Sequence, residues 1–318
     1  MKTQESGIPV PTSGSPDHTL ALELVRVTEA AAIAAARWVG RGDEGRGKVA
    51  AVDAMHGTLR SVSMRGMVVV GEDPRRDPAV LCHGADIGDG DGPACDIAIS
   101  VGDGALSPAR DVPSALAAVA VAESGAMFEP PARVMEKLAV GPDYVGFVDL
   151  DRPVAENLRA VAKVKDGRTA DVVVAVLNRP RHRELVREIR DAGARVHLIE
   201  GGDVAGAIAA ARPDSPVDML LGTGDAAEGV IAAAGLACLG GAFQARLRSE
   251  TGRDSREILH ADDLVRGESV LFCATGVTDS ELLRGVLYHE GRTTTHSMVL
   301  CAKPETVRIV KSAHPARG

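Results

Sequence analysis

Aromatic side chains make up only 2% of the 318 residues, as one Trp, two Tyr and four Phe. So sparse a set provides few stacking platforms for single-stranded nucleic acid, and it leaves the core to Ala, Val, Leu and Ile. Positive charge is also in short supply. The 36 Lys and Arg against 44 Asp and Glu give a net charge of −8, which argues against a polyanion as main partner. A small phosphate ligand needs only a local basic pocket and stays open. No Cys-x-x-Cys pair joins any of Cys82, Cys95, Cys238, Cys273 and Cys301, so free thiols of a reducing compartment are expected. With no secretory signal and no apolar run long enough for a bilayer, a cytoplasmic protein without membrane contact is expected. Gly-x-Gly-x-x-Gly is missing from any first strand–helix turn, which disfavours a nicotinamide site. Neither a Ser-His-Asp nor a Cys-His signature is recognisable, and no internal repeat is visible.

What is present suits about two domains or one large α/β unit, with 45% apolar and 25% charged residues. Residues 1–18 are rich in Pro, Ser, Gly and Thr without periodicity and read as a disordered tail. Leu20, Leu24, Val27, Ala31 and Ala34 recur at spacings of three and four, predicting a helix over 19–39. A second helix is predicted over 48–59, a short β run over 67–70, and an exposed Gly- and Asp-rich loop over 86–93. An alternating strand, 96–101, runs into Gly102-Asp103-Gly104-Ala105, while 112–122 stays undecided between helix and strand. From 149 strands and helices alternate: helix 153–165, strand 171–177, helix 181–191, strand 195–199, a helix 203–211 with Asp203 as cap, and strand 217–221. A glycine turn, Gly222-Thr223-Gly224-Asp225, then leads into helix 227–239, and late strands at 269–274 and 296–301 complete a second, mostly parallel unit. The division expected is a tail (1–18), an N-terminal α/β subdomain (19–148) and a C-terminal α/β subdomain (149–318).

Three strand tips carry acids: Glu72 with Asp73, Asp103, and Asp225 with Glu228. Ligand sites gather at strand ends in layered α/β proteins, and convergent carboxylates there suit Mg²⁺ or Mn²⁺. The competing reading is that each acid is a solvated loop residue. Directly after the 171–177 strand comes a cationic cluster, Arg179-Pro180-Arg181-His182. Arginine forks match phosphate, and positive charge is unfavourable in a helix's first turn unless an anion joins it. His182 has no second ligand at metal spacing. Glu44 and Lys48, four residues apart, read as a surface ion pair.

These residues lie among longer words: WVGRGD (38–43), AAVDAM (50–55), MEKLAVGP (135–142), RPRH (179–182), GDVAGAI (202–208), AEGV (227–230), FCATGVTD (272–279) and TTHSMV (294–299). With them the chain resembles the class II (GlpX-type) fructose-1,6-bisphosphatases over about 20–314. The resemblance implies a layered αβαβα fold, removal of the 1-phosphate of fructose 1,6-bisphosphate with Mg²⁺ or Mn²⁺, and a dimeric or tetrameric homo-oligomer. It makes Glu72, Asp103 and Glu228 the metal ligands. Asp103, Ser100, Lys48 and Glu44 fall at reacting positions, and Gly104, Ala105, Arg179, Arg181, His182, Gly202 and Asp203 at substrate-binding ones. Several positions depart from the family pattern. Ser100 stands for a ligand Asp, Ala105 for a water-orienting Thr, and Pro74 for a second acid. Gly201 and Val134 replace an Asp and a Tyr, and Glu44 and Lys48 stand where the family has Lys and a ligand Asp. The expectation is a divergent relative that acts on or binds a sugar (bis)phosphate with weakened or repurposed hydrolysis. A catalytically silent sugar-phosphate-binding or regulatory paralogue with Lys48 in the metal hole is the alternative. New chemistry through Ser100, Lys48 or Glu44 is a third.

Overall fold

The computed structural model describes residues 16, 18–72, 80–101, 113–249 and 255–315, without the side chains of His18 and Glu44. Its first helix, α1 (His18–Ala36), is followed by α2 (Glu44–Leu59). The latter starts four residues before the predicted 48 because Asp43 caps it, its carboxylate accepting from the Arg46 N–H at 3.1 Å. Strands β1 (Arg65–Val70), β2 (Asp86–Ile87), β3 (Ala94–Val101) and β4 (Leu116–Glu123) come next. The undecided 112–122 segment is therefore strand. Every residue from Leu116 to Ala122 is buried, and a strand covered on both faces has no alternation to read. The chain continues through β5 (Val134–Val140), α3 (Val154–Val164), β6 (Val173–Leu177), α4 (Arg183–Asp191), β7 (Arg195–Ile199), α5 (Asp203–Ala210), β8 (Met219–Asp225) and α6 (Ala226–Cys238). It closes with β9 (Ala242–Arg248), β10 (Leu259–His260), α7 (Ala261–Leu264), β11 (Leu271–Gly276), β12 (Leu287–His289), β13 (Arg292–Cys301) and β14 (Thr306–Pro315).

These strands form two sheets. The first has the order β12-β13-β11-β4-β3-β1-β2, with β14 also on β13; the second is β10-β9-β5-β8-β6-β7. The late strands therefore belong with β1–β4 and do not complete a C-terminal unit, and β5, from before residue 148, sits inside the second sheet. That second sheet is parallel only at β6/β7 and β6/β8; β5 runs antiparallel to both β8 and β9. The physical reason is that strands buried on both faces look alike in sequence, so nothing local assigns them to a sheet.

Five layers result. On the outside, α1 and α2 set Leu24, Val27, Ala31 and Met55 against Ile97, Ile99, Val119 and Cys273 of the first sheet. In the middle, α5 and α6 pack between the sheets, with Ile208, Val230 and Leu236 touching a core that includes Ala98, Ala120 and Phe272 on one side and Met135, Ala175 and Leu220 on the other. On the far face, Leu158 and Val161 of α3 and Ile189 of α4 cover Leu138, Val174, Val176 and Met219. This is the αβαβα order that the resemblance implied. The middle helices must be narrow to be shared by two sheets. A Cβ on Gly206 would lie 2.3 Å from Ile199 Cδ1, and one on Gly235 2.2 Å from Ile208 Cδ1.

None of the five cysteines is in a disulfide, and four of them are buried. Burial pushes the thiols of Cys95 and Cys273 up to about 12, which keeps them protonated and inert. Among the described residues no helix is long and apolar enough to cross a membrane.

Candidate functional site

The first group of functional side chains gathers at the ends of β1 and β3. Gly71 lets the chain leave β1 hard against Leu81: a Cβ there would sit 2.1 Å from the Leu81 carbonyl oxygen, which accepts from the Glu72 N–H at 2.9 Å. That turn aims Glu72 inward, leaving its side chain 9% exposed. Its Oε1 accepts from the Val101 N–H at 3.4 Å, and its Oε2 lies 2.6 Å from Lys48 Nζ. Lys48 thus reaches from α2 to the tip of β1. Ser100 is buried on β3 opposite Ala118. Asp73, Pro74, Asp103, Gly104 and Ala105, and the side chain of Glu44, lie outside what the structure describes.

This geometry bears on the Mg²⁺ or Mn²⁺ expected from the resemblance. A dication on Glu72 Oε2 would stand within a few ångströms of an ammonium, a repulsion that water screens only in part. Ser100 brings a neutral hydroxyl, and among the described residues no three His, Cys, Asp or Glu gather as a metal-ligand group. With the expected ligand Asp103 outside the described residues, what is described, an ammonium on Glu72 and a neutral hydroxyl at Ser100, does not fit the expected centre.

The second group forms where β6 ends. His182 is buried in a 3-10 turn, Pro180–His182. Its Nε2 accepts from the Thr223 N–H at 2.9 Å, so Nδ1 carries the proton and donates to the Leu177 carbonyl at 2.8 Å. Burial holds its pKa below the usual imidazole value. A neutral ring with both nitrogens engaged is a structural strut. Arg181 donates through Nε and Nη2 to the Thr223 carbonyl at 2.9 and 2.7 Å. Arg179 donates through Nη2 to the carbonyls of Glu200 and Gly201, both at 3.1 Å. Carbonyl contacts orient a guanidinium without cancelling its charge, and among the described residues neither arginine has an ion-pair partner. The cluster can therefore meet an anion.

Gly222-Thr223-Gly224-Asp225 is not the turn expected from sequence. β8 runs straight through it, paired with β5 from Val140↔Met219 to Val134↔Asp225. The two glycines give clearance instead. A Cβ on Gly222 would lie 3.2 Å from His182 Nε2, and one on Gly224 2.1 Å from Asp203 Oδ2. Asp225 caps α6 by accepting from the Ala227 N–H at 2.8 Å, and buried Glu228 sits in that helix's first turn, where negative charge is favoured.

Asp203 also departs from expectation. It is not the α5 cap; Gly202 takes that position without a side-chain bond. The Asp203 carboxylate, only 4% exposed, instead receives Lys137 Nζ on both oxygens, at 2.8 and 2.7 Å. A buried ammonium so close outcompetes a backbone N–H. Next to it, Gly201 has no room for a side chain: a Cβ would lie 2.7 Å from the Ser114 carbonyl oxygen. Lys137 and Thr223 are the residues that sequence reasoning missed. For Lys137 a signal existed, as one Lys inside an otherwise largely apolar strand.

Comparison with known proteins adds the family. The family described as bacterial fructose-1,6-bisphosphatase, glpX-encoded, matches residues 18–314. A relative from Synechococcus sp. (strain JA-2-3B'a(2-13)), called D-fructose 1,6-bisphosphatase class 2/sedoheptulose 1,7-bisphosphatase, is 36% identical over 95% of this chain and 97% of its own length. A protein of the same description from Thermosynechococcus vestitus (strain NIES-2133 / IAM M-273 / BP-1) is 36% identical over 94% of this chain and 96% of its own. Fold, motifs and whole-length similarity agree, and the chain belongs to the glpX-type, class II fructose-1,6-bisphosphatase family.

Proposed function

We propose that this chain acts on or binds a sugar (bis)phosphate, with phosphomonoester hydrolysis weakened or repurposed. The observation that carries the reading is the ion pair between Lys48 Nζ and Glu72 Oε2 at 2.6 Å. It puts a fixed cation at a carboxylate to which the family resemblance gives a metal. The anion-facing part is kept: Arg179 and Arg181 are oriented by backbone carbonyls, and arginine forks match phosphate. The same ion pair favours a second reading, a silent binding or regulatory paralogue in which the ammonium takes over a cation's electrostatic place. Chemistry other than hydrolysis through Ser100 has no supporting geometry among the described residues. Under either reading the ligand is a small phosphorylated molecule, the compartment is the cytoplasm, and the chain forms a homo-oligomer.

Phosphate release from fructose 1,6-bisphosphate and sedoheptulose 1,7-bisphosphate, with Mg²⁺ and with Mn²⁺, separates the two. Glu228→Ala sets the background. Turnover above that background supports the weakened phosphatase. Turnover at background, together with saturable calorimetric binding of the bisphosphate, supports the silent form. Neither turnover nor binding rejects both.

A further inference from the structure

We infer that Lys48 is the resident cation of the corner between β1 and β3, and that the chain holds its sugar-phosphate ligand without a divalent cation. The inference rests on the sugar-phosphate reading above and deepens it by naming what balances charge at that ligand.

Two local contacts fix the turn from which Lys48 projects. Asp43 caps α2 by accepting from the Arg46 N–H at 3.1 Å. Gly47 lets that first turn lie close on Trp38, since a Cβ there would sit 3.0 Å from Trp38 Cβ. From this turn the Lys48 ammonium reaches Glu72 Oε2 at 2.6 Å, on a side chain only 9% exposed. The other oxygen, Oε1, accepts from the Val101 N–H at 3.4 Å, which ties the tip of β1 to the end of β3. Charges in so enclosed a corner are screened less than on open surface, so their pairing counts for more.

The place of the ammonium matters because of the charge that has moved. Where the family pattern has Lys and then a ligand Asp, this chain has Glu44 and Lys48. The cation has thus shifted by about one helical turn and lands on Glu72. Ser100, standing for another ligand Asp, takes a further negative charge out of the corner. A dication on Glu72 would have to push the ammonium aside or share one carboxylate with it, and like charges so close repel strongly. A phosphate has the opposite relation to Lys48. The side chain is 36% exposed, so an arriving anion meets a cation already in place. An ammonium is a good point-charge partner for phosphate, and it needs no ion taken up from solution. Arg179 and Arg181, oriented by backbone carbonyls, add fixed positive charge of the same kind.

Isothermal calorimetry with fructose 1,6-bisphosphate tests this on the full chain, in EDTA, in Mg²⁺ and in Mn²⁺. Wild type is compared with Lys48→Met, Lys48→Gln and Arg181→Ala, and melting curves are recorded alongside. Wild type is expected to bind equally in all three solutions. Lys48→Met is expected to lose about tenfold or more in EDTA, the worth of one charge-assisted contact; Lys48→Gln carries the same expectation and decides the matter if Lys48→Met does not fold. Wild-type affinity that rises about tenfold or more from EDTA to either ion overturns the inference, and that result needs no variant. So does a Lys48 variant that melts like wild type and binds as tightly in EDTA. Wild-type protein that binds no more tightly than Arg181→Ala in any of the three solutions removes the sugar-phosphate reading itself, and this inference with it. Binding that depends on the metal leaves that reading standing and removes only the role of Lys48.

Discussion

Single side chains set the chemistry of this site, and two of them make sharp predictions. Lys48 holds Glu72 at 2.6 Å. Removing the ammonium while keeping the stem, as Lys48→Met, frees that oxygen from a competing cation. Mn²⁺ affinity measured by calorimetry or electron spin resonance is expected to rise about tenfold or more, some 1.4 kcal/mol of relieved repulsion. An unchanged affinity would mean that Lys48 does not compete with a cation there. His182 gives a pH signature. Burial depresses its pKa from 6.5, so below that pH the unfolded chain takes up a proton that the folded ring refuses. The resulting stabilisation is complete above 6.5 and is lost as pH falls toward the folded value, with a slope of at most about 1.4 kcal/mol per pH unit. His182→Gln should flatten that part of the urea-unfolding profile between pH 7 and 5; an unaltered slope would place its origin in other groups. The RPRH cluster was legible in the sequence, but its charge lies in the 3-10 turn before α4 and not in that helix's first turn, where Glu184 sits. That His182 is a strut between Leu177 and Thr223 was not legible, because its partner lies 41 residues away.

Among the elements, glycine separates what could be read from what could not. Gly222 and Gly224 read as a glycine turn before a helix, but they are clearances inside a continuous strand. Local sequence cannot tell these uses apart, since both need a missing Cβ. Most helices, in contrast, were found within a few residues of their true ends, because their spacing and caps are local signals. A pair of substitutions tests the distinction. Gly224→Ala would drive a methyl to 2.1 Å from Asp203 Oδ2, and overpacking of this kind costs about 1–3 kcal/mol. Gly57 is exposed within α2, and a Cβ there would meet nothing within 4 Å beyond its own helix backbone, so Gly57→Ala should gain about 0.4–1 kcal/mol from reduced unfolded-chain freedom. Denaturant midpoints that move in opposite directions would bear out both; a neutral Gly224→Ala would show that the α5 start yields easily.

Across the whole molecule, the boundary suggested by sequence at 148/149 cuts through structures that the fold keeps whole. The first sheet draws strands from both ends of the chain, and the second takes β5 from before the boundary. Only long-range pairing reveals this. The consequence is thermodynamic. The α5–α6 layer has no core of its own: Val230 and Leu236 share one cluster with Ala98 and Phe272 of the first sheet and with Met135 and Leu220 of the second. Melting either sheet alone would expose that shared apolar layer, at about 25 cal/mol for each Å² uncovered. Separate subdomains at 19–148 and 149–318 would each carry an independent core and could unfold in turn. A shared middle layer predicts one cooperative transition by calorimetry, with calorimetric and van't Hoff enthalpies equal. It also predicts that an overpacking change in that layer, such as Gly235→Val against Ile208 Cδ1 at 2.2 Å, lowers the single transition without splitting it. Two resolved transitions in the wild-type protein would show instead that the sheets melt independently and that the middle helices stay with only one of them.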